Sequence, residues 1–494
     1  MTRLSESHLW KNLREFYEKE GVTAWSSDRL PFFATNNPAL AKTYVDLLIA
    51  YLEDCREADE LDPEQTVYIV ELGGGMGRLA FLMLTRLKEM QDRLPCPVKY
   101  LLTDYGKSNV EYYKSHEKFA PFFESGALEV SQFDAEGPER LKFNSTNPVF
   151  VIANYLFDSL SQDGFRIEDG VLSEISCYLD DKKELRFEAT TASDTPYGVK
   201  AYDSVLQNYR NVLGNTHIPF PIGPLKCMDS LSESANGRLA LVMADKALRS
   251  KEELLDFTSL PLQKHDRGFS MSVNCHAMDE VWSQDGGLSF HSAPRANHLN
   301  LAVYCKGLSR EQSSRTEHTF RDQVDGFGPL DYLDFRAQIM ASVKSKSLRL
   351  YLQLLRLSRW DAELFYELSN QLGDAALGAP MNEQQELYEV MTRCWGNFFP
   401  IPDERDVPFA VARVLACINQ FHQAIGFYGE SRRLYGDRCL TLHNIGICQF
   451  NLGQLEQAVA SFKEALKLDP QYGPSKELLL RTEAEARRQS SLTP

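Results

Sequence analysis

Val67-Tyr68-Ile69-Val70-Glu71-Leu72-Gly73-Gly74-Gly75-Met76-Gly77-Arg78-Leu79 decides how this chain is read. An apolar, β-type run ends in an acid. A glycine turn follows, and Leu79, Leu82, Met83 and Leu87 then recur at helical spacing. Strand, glycine turn and helix make the opening unit of an open parallel sheet that binds a nucleotide-like cofactor. Gly73, Gly74, Gly75 and Gly77 allow backbone dihedrals and close ligand approach that a Cβ forbids, and they are expected to line the amino-acid and ribose parts of the ligand. In a turn with only a structural role, four glycines in five positions would cost stability for no packing gain. Glu71 decides the charge of the ligand. Its carboxylate repels a pyrophosphate and attracts an amine-bearing cation. S-Adenosylmethionine is therefore favoured over a nicotinamide dinucleotide, with Glu71 holding its cationic end directly or through water.

Outward from this unit the pattern repeats. Residues 40–52 read as a helix before the first strand, and a polar loop joins the two. Val98–Thr103 runs into Asp104, Ala127–Phe133 into Asp134, and Pro148–Ala153 into Asn154; Arg238–Met243 makes a fifth strand. Apolar runs alternating with helical patterns give a mostly parallel, doubly wound α/β sheet, whose ligands bind at the strand ends. Asp104 lies further from the glycine turn than the ~20 residues usual for a second-strand acid; the insertion around Pro95-Cys96-Pro97 accounts for the excess. A carboxylate there can accept both ribose hydroxyls, and Tyr105 can pack on adenine. Asp134 can accept from the adenine amino group. The segment Asn154-Tyr155-Leu156-Phe157-Asp158-Ser159-Leu160 faces the methyl group in such a fold. Displacement at a sulfonium carbon needs a desolvated lone pair aligned with the departing sulfur. Asn154 offers a carbonyl to an incoming N–H, Asp158 holds a cation or takes its proton, and Tyr155 supplies a wall or a hydroxyl.

Composition narrows the class. A net charge of −16 disfavours nucleic acid as a partner, and almost all of the excess acid precedes Lys346. No apolar run reaches the ~18–20 residues of a membrane span. Met1 to Gly21 reads as an amphipathic helix rather than a signal or transit peptide. Ten cysteines without a C-x-x-C pair suggest reduced thiols and a cytoplasmic protein. Cys275, His276, His291 and His298 match no metal-ligand spacing, so no metal is expected. Two stretches, about 161–236 and 245–270, exceed a simple crossover. Residues 161–190 read as a β-hairpin turning at Asp169-Gly170, 195–236 as an elaborated loop or lid, and 245–270 as a polar, mobile insert.

The last third changes to helix after helix, and it repeats. Residues 419–428 align with 453–462 at an offset of about 34 residues, the tetratricopeptide period. One copy carries Gly446, Ala458, Phe462, Ala465 and Pro470; the other carries Ala424, Tyr428 and Ser431. A degenerate third copy is read over 361–399, with Ala362–Tyr366 in its first helix, and the 475–488 helix caps the stack.

The glycine motif and the Asn154–Leu160 segment resemble those of the MidA-like S-adenosylmethionine-dependent methyltransferases, the family of the mitochondrial arginine methyltransferase that assists complex I assembly. Residues 28–48 resemble that family's cofactor-covering segment, and the resemblance extends over roughly 1–310. It implies cofactor roles for Glu71, Gly73, Gly75, Gly77 and Asp104, and acceptor-side roles for Asn154 and Asp158. Two positions depart from the pattern. Tyr155 replaces a family Glu, and Asn274 replaces a downstream Asp, which weakens an arginine acceptor because a guanidinium prefers paired acids.

The expected organisation is an N-terminal helical cap (1–65) and a Rossmann-like methyltransferase domain (66–320) with insertions at about 161–236 and 245–270. A helical linker (321–359) and an all-α tetratricopeptide-repeat domain (360–494) follow. The expected function is methylation of a side-chain nitrogen on a protein or peptide docked by the repeats. Alternatives are a small-molecule methyltransferase of a biosynthetic pathway, whose repeats serve dimerisation or carrier docking, and a non-catalytic adaptor that retains the cofactor. A homodimer is the other partnership open to the chain.

Overall fold

Val67–Leu72 is buried along its whole length, as its β-branched and aromatic composition requires. It lies inside an eight-stranded sheet whose order is Leu288–His291, Leu299–Lys306, Leu239–Leu248, Val149–Asn154, Val67–Leu72, Val98–Asp104, Leu128–Gln132. Val273–Asn274 pairs with the end of Leu239–Leu248. The five strands from Leu239–Leu248 to Leu128–Gln132 run parallel. Leu299–Lys306 and Leu288–His291 extend the sheet antiparallel. Strand order reverses between Val67–Leu72 and Val149–Asn154, and this places a ligand crevice at their carboxyl ends. The helices Pro38–Glu57 and Arg78–Glu89 pack on each other; the first is capped by the Asn37 side chain, which accepts from the Leu40 N–H.

The computed structural model describes residues 2–25, 34–179, 185–255, 257–264, 269–294, 299–342, 347–402 and 405–492. The chain forms two compact units, Met1–Asp331 and Tyr332–Pro494. Among the described residues no helix is long and apolar enough to cross a membrane. Part of the 28–48 segment, including Phe33, and His298 lie outside the described residues.

One expectation is overturned in the first unit. The stretch 195–236 is not a loop or lid. It folds as the helix Lys200–Val212, the strand Thr216–Phe220 and the helix Ile222–Ser234. Tyr202, Leu206, Tyr209, Phe220 and Leu225 join the same hydrophobic core as Val70 and Val151. Gly214 and Pro221 sit at junctions, and Gly223 and Pro224 fall in the first turn of the second helix, where proline is tolerated, so the apolar spacing stays intact. Thr216–Phe220 belongs to a second, antiparallel sheet with Asp163–Glu168, Val171–Leu179, Leu185–Thr191 and Thr2–Arg3. The hairpin at Asp169-Gly170 forms as read. Glu168 pairs with Val171, and positive φ at both turn residues, 50° and 76°, matches the twist of the flanking strands. The 245–270 stretch begins as a continuation of Leu239–Leu248 and later forms the short pairing of Leu262–Lys264 with Phe269–Met271.

The second unit is helical throughout its described residues. Val407–Cys417 and Phe421–Tyr435 form one pair, Cys439–Asn451 and Leu455–Leu468 the next, and Gly473–Leu492 packs on the last of these. Ala424, Tyr428, Ala458, Phe462 and Ala465 are all buried. A Cβ on Gly446 would lie 2.6 Å from Phe462 Cε1, so the small residue is what lets the aromatic fill the helix crossing. The third copy differs from its expected layout. Ala362–Ala376 follows Leu348–Leu357 through a turn closed by Trp360 N–H to Leu355 O, as Gln420 to Leu415 and Gln454 to Gln449 close the others. Ala362 therefore opens a second helix, not a first. That helix packs directly on Val407–Cys417, and Met381–Gly396 is an added helix between them in the chain.

Candidate active site

Where strand order reverses, a small cleft of about 120 Å³ opens. Gly73, Gly75, Asp104, Tyr105, Asp134, Asn154 and Tyr155 line it. An adjoining recess shares Gly73, Gly75, Asn154 and Tyr155, and is also lined by Glu71, Gly74, Thr35 and Asn36. Two residues expected at the site stand outside this lining. Gly77, with φ 77°, turns the chain into Arg78–Glu89, and its N–H donates to Gly74 O at 2.8 Å. Asp158 is buried under the Asn154–Leu160 segment instead of facing the cleft. Its carboxyl accepts the Ser159 hydroxyl at 3.0 Å and a bond from the Ser270 side chain.

The glycine turn is tight for two reasons. Gly75 needs a φ of 57°, and a Cβ on Gly74 would lie 2.3 Å from Leu102 Cδ1. Glu71 sits beneath it, 5% exposed, accepting the Tyr100 hydroxyl at 2.8 Å. Burial pushes its carboxyl up to about 8; the Tyr100 bond offsets part of this and the Asp104 charge adds to it. The sequence alone suggests a plain carboxylate. The fold instead buries Glu71 so that its protonated form is favoured near neutral pH.

Asp104 is also buried, and desolvation raises its carboxyl despite its donors. Those donors are the Gly75 N–H at 3.1 Å, the Gly106 N–H at 2.8 Å and the side chains of Asn109 and Tyr113. Asp104 thus ties the glycine turn to the second strand.

Tyr105 and Asp134 share a partner that the sequence reading did not single out. Arg14, on the helix His8–Glu20, places its guanidinium 4.5 Å from the Tyr105 ring centroid. It also bonds Asp134, and Glu136 at 3.2 Å. Arg14 and Tyr17 line the cleft beside them. The amphipathic pattern of this helix marks which face is buried, and it does not reveal what that face covers.

On the other wall, Asn154 Oδ1 accepts the Tyr44 hydroxyl at 2.7 Å, and Asn154 Nδ2 is buried without a partner. The carbonyl named as an acceptor is already engaged, and the unpaired atom is a donor. Tyr155 follows with φ 47°, a left-handed conformation costing about 1–3 kcal/mol for a non-glycine residue. The end of Leu239–Leu248 holds it there. Ala244 O accepts the Tyr155 N–H at 2.9 Å, and Asp245 Oδ2 accepts from the Phe157 and Asp158 N–H groups at 2.9 and 3.2 Å. Asp158 and Asp245 are both buried. Desolvation raises both carboxyls, and the charge of Asp158 helps push Asp245 well above the usual range. Asp245 was missed because it lies inside an apolar strand, where only the fold shows that its side chain meets the neighbouring loop. Of the remaining polar candidates, His276 Nδ1 meets the Tyr209 hydroxyl and His291 Nε2 meets Asp279.

The donor set fits an adenosyl amino acid: a buried acid for a cation, backbone around a glycine turn, an aromatic with a neighbouring acid, and an unpaired amide nitrogen in the wall. Residues 52–243 match the family described as "Putative S-adenosyl-L-methionine-dependent methyltransferase". The first unit carries a domain of this methyltransferase family. Residues 440–472 match the tetratricopeptide repeat. The methyltransferase domain thus precedes tetratricopeptide helices in one chain, and its cofactor is S-adenosylmethionine.

Solved structures give more distant likenesses. One is a superfamily member from Burkholderia thailandensis bound to S-adenosyl-homocysteine, at 13% identity and TM-score 0.39, covering 61% of this chain and 94% of that one. Another is the plantazolicin methyltransferase BpumL with the same product, at 8% identity and TM-score 0.27, covering 61% and 100%. A third is MamA from Desulfovibrio magneticus RS-1, at 17% identity and TM-score 0.25, covering 32% and 86%. No curated protein matches the chain.

Proposed function

We propose that this methyltransferase modifies a side-chain nitrogen of a protein or peptide held by its helical repeats. The carrying observation is the joining of the two parts in one chain: a cleft whose adjoining recess exposes a buried acid, and an array of paired helices. Such arrays build extended concave surfaces suited to peptides. When bound, S-adenosylmethionine supplies an electrophilic methyl on a cationic sulfur. The protein's share is to orient and desolvate. Glu71 takes the cationic end, the Gly73–Gly75 backbone lies against the amino-acid and ribose parts, and Tyr105 and Asp134 receive adenine. Asn154 and Tyr155 shape the acceptor face. Asp158 acts with Asp245 to hold that face in place. Ten free cysteines, eight of them buried, support a reducing, cytoplasmic setting.

The full-length protein incubated with methyl-labelled S-adenosylmethionine and a cell lysate tests this reading. Label is expected in the protein fraction, on nitrogen. Label confined to small metabolites would favour the biosynthetic alternative, and tight cofactor binding without transfer to any fraction would favour the adaptor.

A further inference from the structure

Val98–Asp104 ends at the cleft, and its beginning opens on a different cavity. That cavity measures about 630 Å³, within the roughly 300–1,000 Å³ of small-molecule sites. Leu84 and Leu87 from the helix Arg78–Glu89, Pro97 and Tyr100, and Phe122 from Ala120–Glu124 give it apolar walls. Pro95 and Pro97 both line it, and their fixed φ stiffens that side. Cys96 stands between them, and burial pushes its thiol up to about 11, so it stays neutral.

One charge remains. Among the described lining residues, Lys88 alone is ionised near neutral pH. It is exposed in the last turn of its helix, where Glu89 beside it pairs with Arg86 at 2.8 Å. Lys88 itself forms no ion pair among the described residues. An apolar chamber with a single unpaired ammonium at its rim suits a molecule built the same way, with an apolar body and one anionic head. A polyanion would find no second cation there, and an apolar amine would be repelled.

Tyr100 joins this chamber to the recess beside the glycine turn. Its ring is 1% exposed and forms part of the chamber wall. Its hydroxyl donates to Glu71 at 2.8 Å, and Glu71 lines the recess. That bond favours the ionised form of Glu71, which is the form that holds a cation. A guest packed on the ring would hold the hydroxyl in place.

We propose that this chamber binds a soluble amphipathic carboxylate, with its chain against Leu84, Leu87 and Phe122 and its head on Lys88, and that Tyr100 couples its occupancy to the cofactor site. The binding stands on the chamber alone; the coupling rests on the assignment of the recess to the cofactor. Guest and cofactor tighten each other by the same factor.

Calorimetry on the full-length protein tests this with octanoate, 1-octanol and octylamine as probes. Octanoate is expected to bind at one site per chain, about five-fold more tightly than 1-octanol, the scale of one exposed charge pair. Octylamine is expected to bind more weakly than either. Lys88→Met should erase the difference between octanoate and 1-octanol. Ser125→Trp, at an exposed lining position, should block both probes and leave S-adenosyl-homocysteine affinity unchanged. With S-adenosyl-homocysteine saturating, octanoate should bind about five-fold more tightly. Tyr100→Phe, which keeps the ring, should bind octanoate as wild type does and lose that enhancement. Absence of saturable octanoate binding, or binding no tighter than that of 1-octanol, would overturn the site. Octanoate binding that survives Ser125→Trp would overturn it too; if that variant does not fold, an octanoate preference retained in Lys88→Met is the overturning result. Equal octanoate affinity with and without S-adenosyl-homocysteine, or an enhancement retained in Tyr100→Phe, would overturn the coupling. Failure of wild type to bind S-adenosyl-homocysteine at all would instead contradict the assignment of the recess to the cofactor.

Discussion

The Tyr100 hydroxyl donates to the Glu71 carboxyl at 2.8 Å inside the sheet, beside the recess that adjoins the cleft. This bond lowers the cost of ionising a buried acid without removing it, and burial leaves the Glu71 carboxyl at about 8. Its unfolded value is 4.5, so the native state holds the extra proton across the window from about 4.5 to about 8. Its contribution to stability is fully present below the unfolded value and is lost as pH rises through the folded one. Thermal unfolding of the ligand-free protein should therefore show a midpoint that falls from pH 5 to pH 8. Glu71→Gln should flatten that slope and raise the midpoint at pH 8.

Arg14 reaches Tyr105, Asp134 and Glu136 from the first helix. Two of these three are the partners proposed for adenine, so Arg14 competes with it. Partly exposed ion pairs contribute about 0.2–1 kcal/mol and a cation–π contact about 0.5–1 kcal/mol. Arg14→Gln should accordingly bind S-adenosyl-homocysteine about five-fold more tightly, with a faster association rate in stopped-flow fluorescence. Weaker binding would mean that Arg14 belongs to the occupied site.

Asp245 accepts two N–H groups from the turn that follows the strained Tyr155. Asp245→Ala leaves both donors buried and unpaired, at about 1–3 kcal/mol each. Urea unfolding should register a loss of about 2–4 kcal/mol, and cofactor affinity should fall because Asn154, Tyr155 and Leu156 line the cleft. Asp245→Asn keeps one acceptor oxygen and should recover most of the loss.

Gly446 faces Phe462 across a helix crossing that a Cβ would enter at 2.6 Å. Overpacking of this kind costs about 1–3 kcal/mol. Gly446→Ala should lower the melting temperature of the protein, and the decrease should shrink in a Phe462→Leu background, where the ring is gone. Equal decreases in both backgrounds would assign the effect to helix propensity.

What the sequence disclosed, and what it did not, follows from the range of each interaction. The Glu71–Gly77 turn was legible because strand, turn and helix are contiguous and each is governed by neighbours. The Asp169-Gly170 hairpin was legible for the same reason. Between Pro196 and Asn236, dense turn residues masked two helices whose apolar spacing, Val205-Leu206-Tyr209 and Leu225-Met228-Leu231, becomes evident only once the core is known. Arg14, Tyr44 and Asp245 act on partners distant in the chain, so no local pattern announces them. Glu71 reads as a charged carboxylate from its type, and only the fold shows the burial that favours its protonated form.

The most direct test is calorimetric titration of S-adenosylmethionine at pH 7 in buffers of different ionisation enthalpy, with wild type and Glu71→Gln. Wild type should release close to one proton on binding, and Glu71→Gln should release none and bind more weakly. Binding without proton release, with affinity unchanged in Glu71→Gln, would contradict the assignment of the cationic end to Glu71.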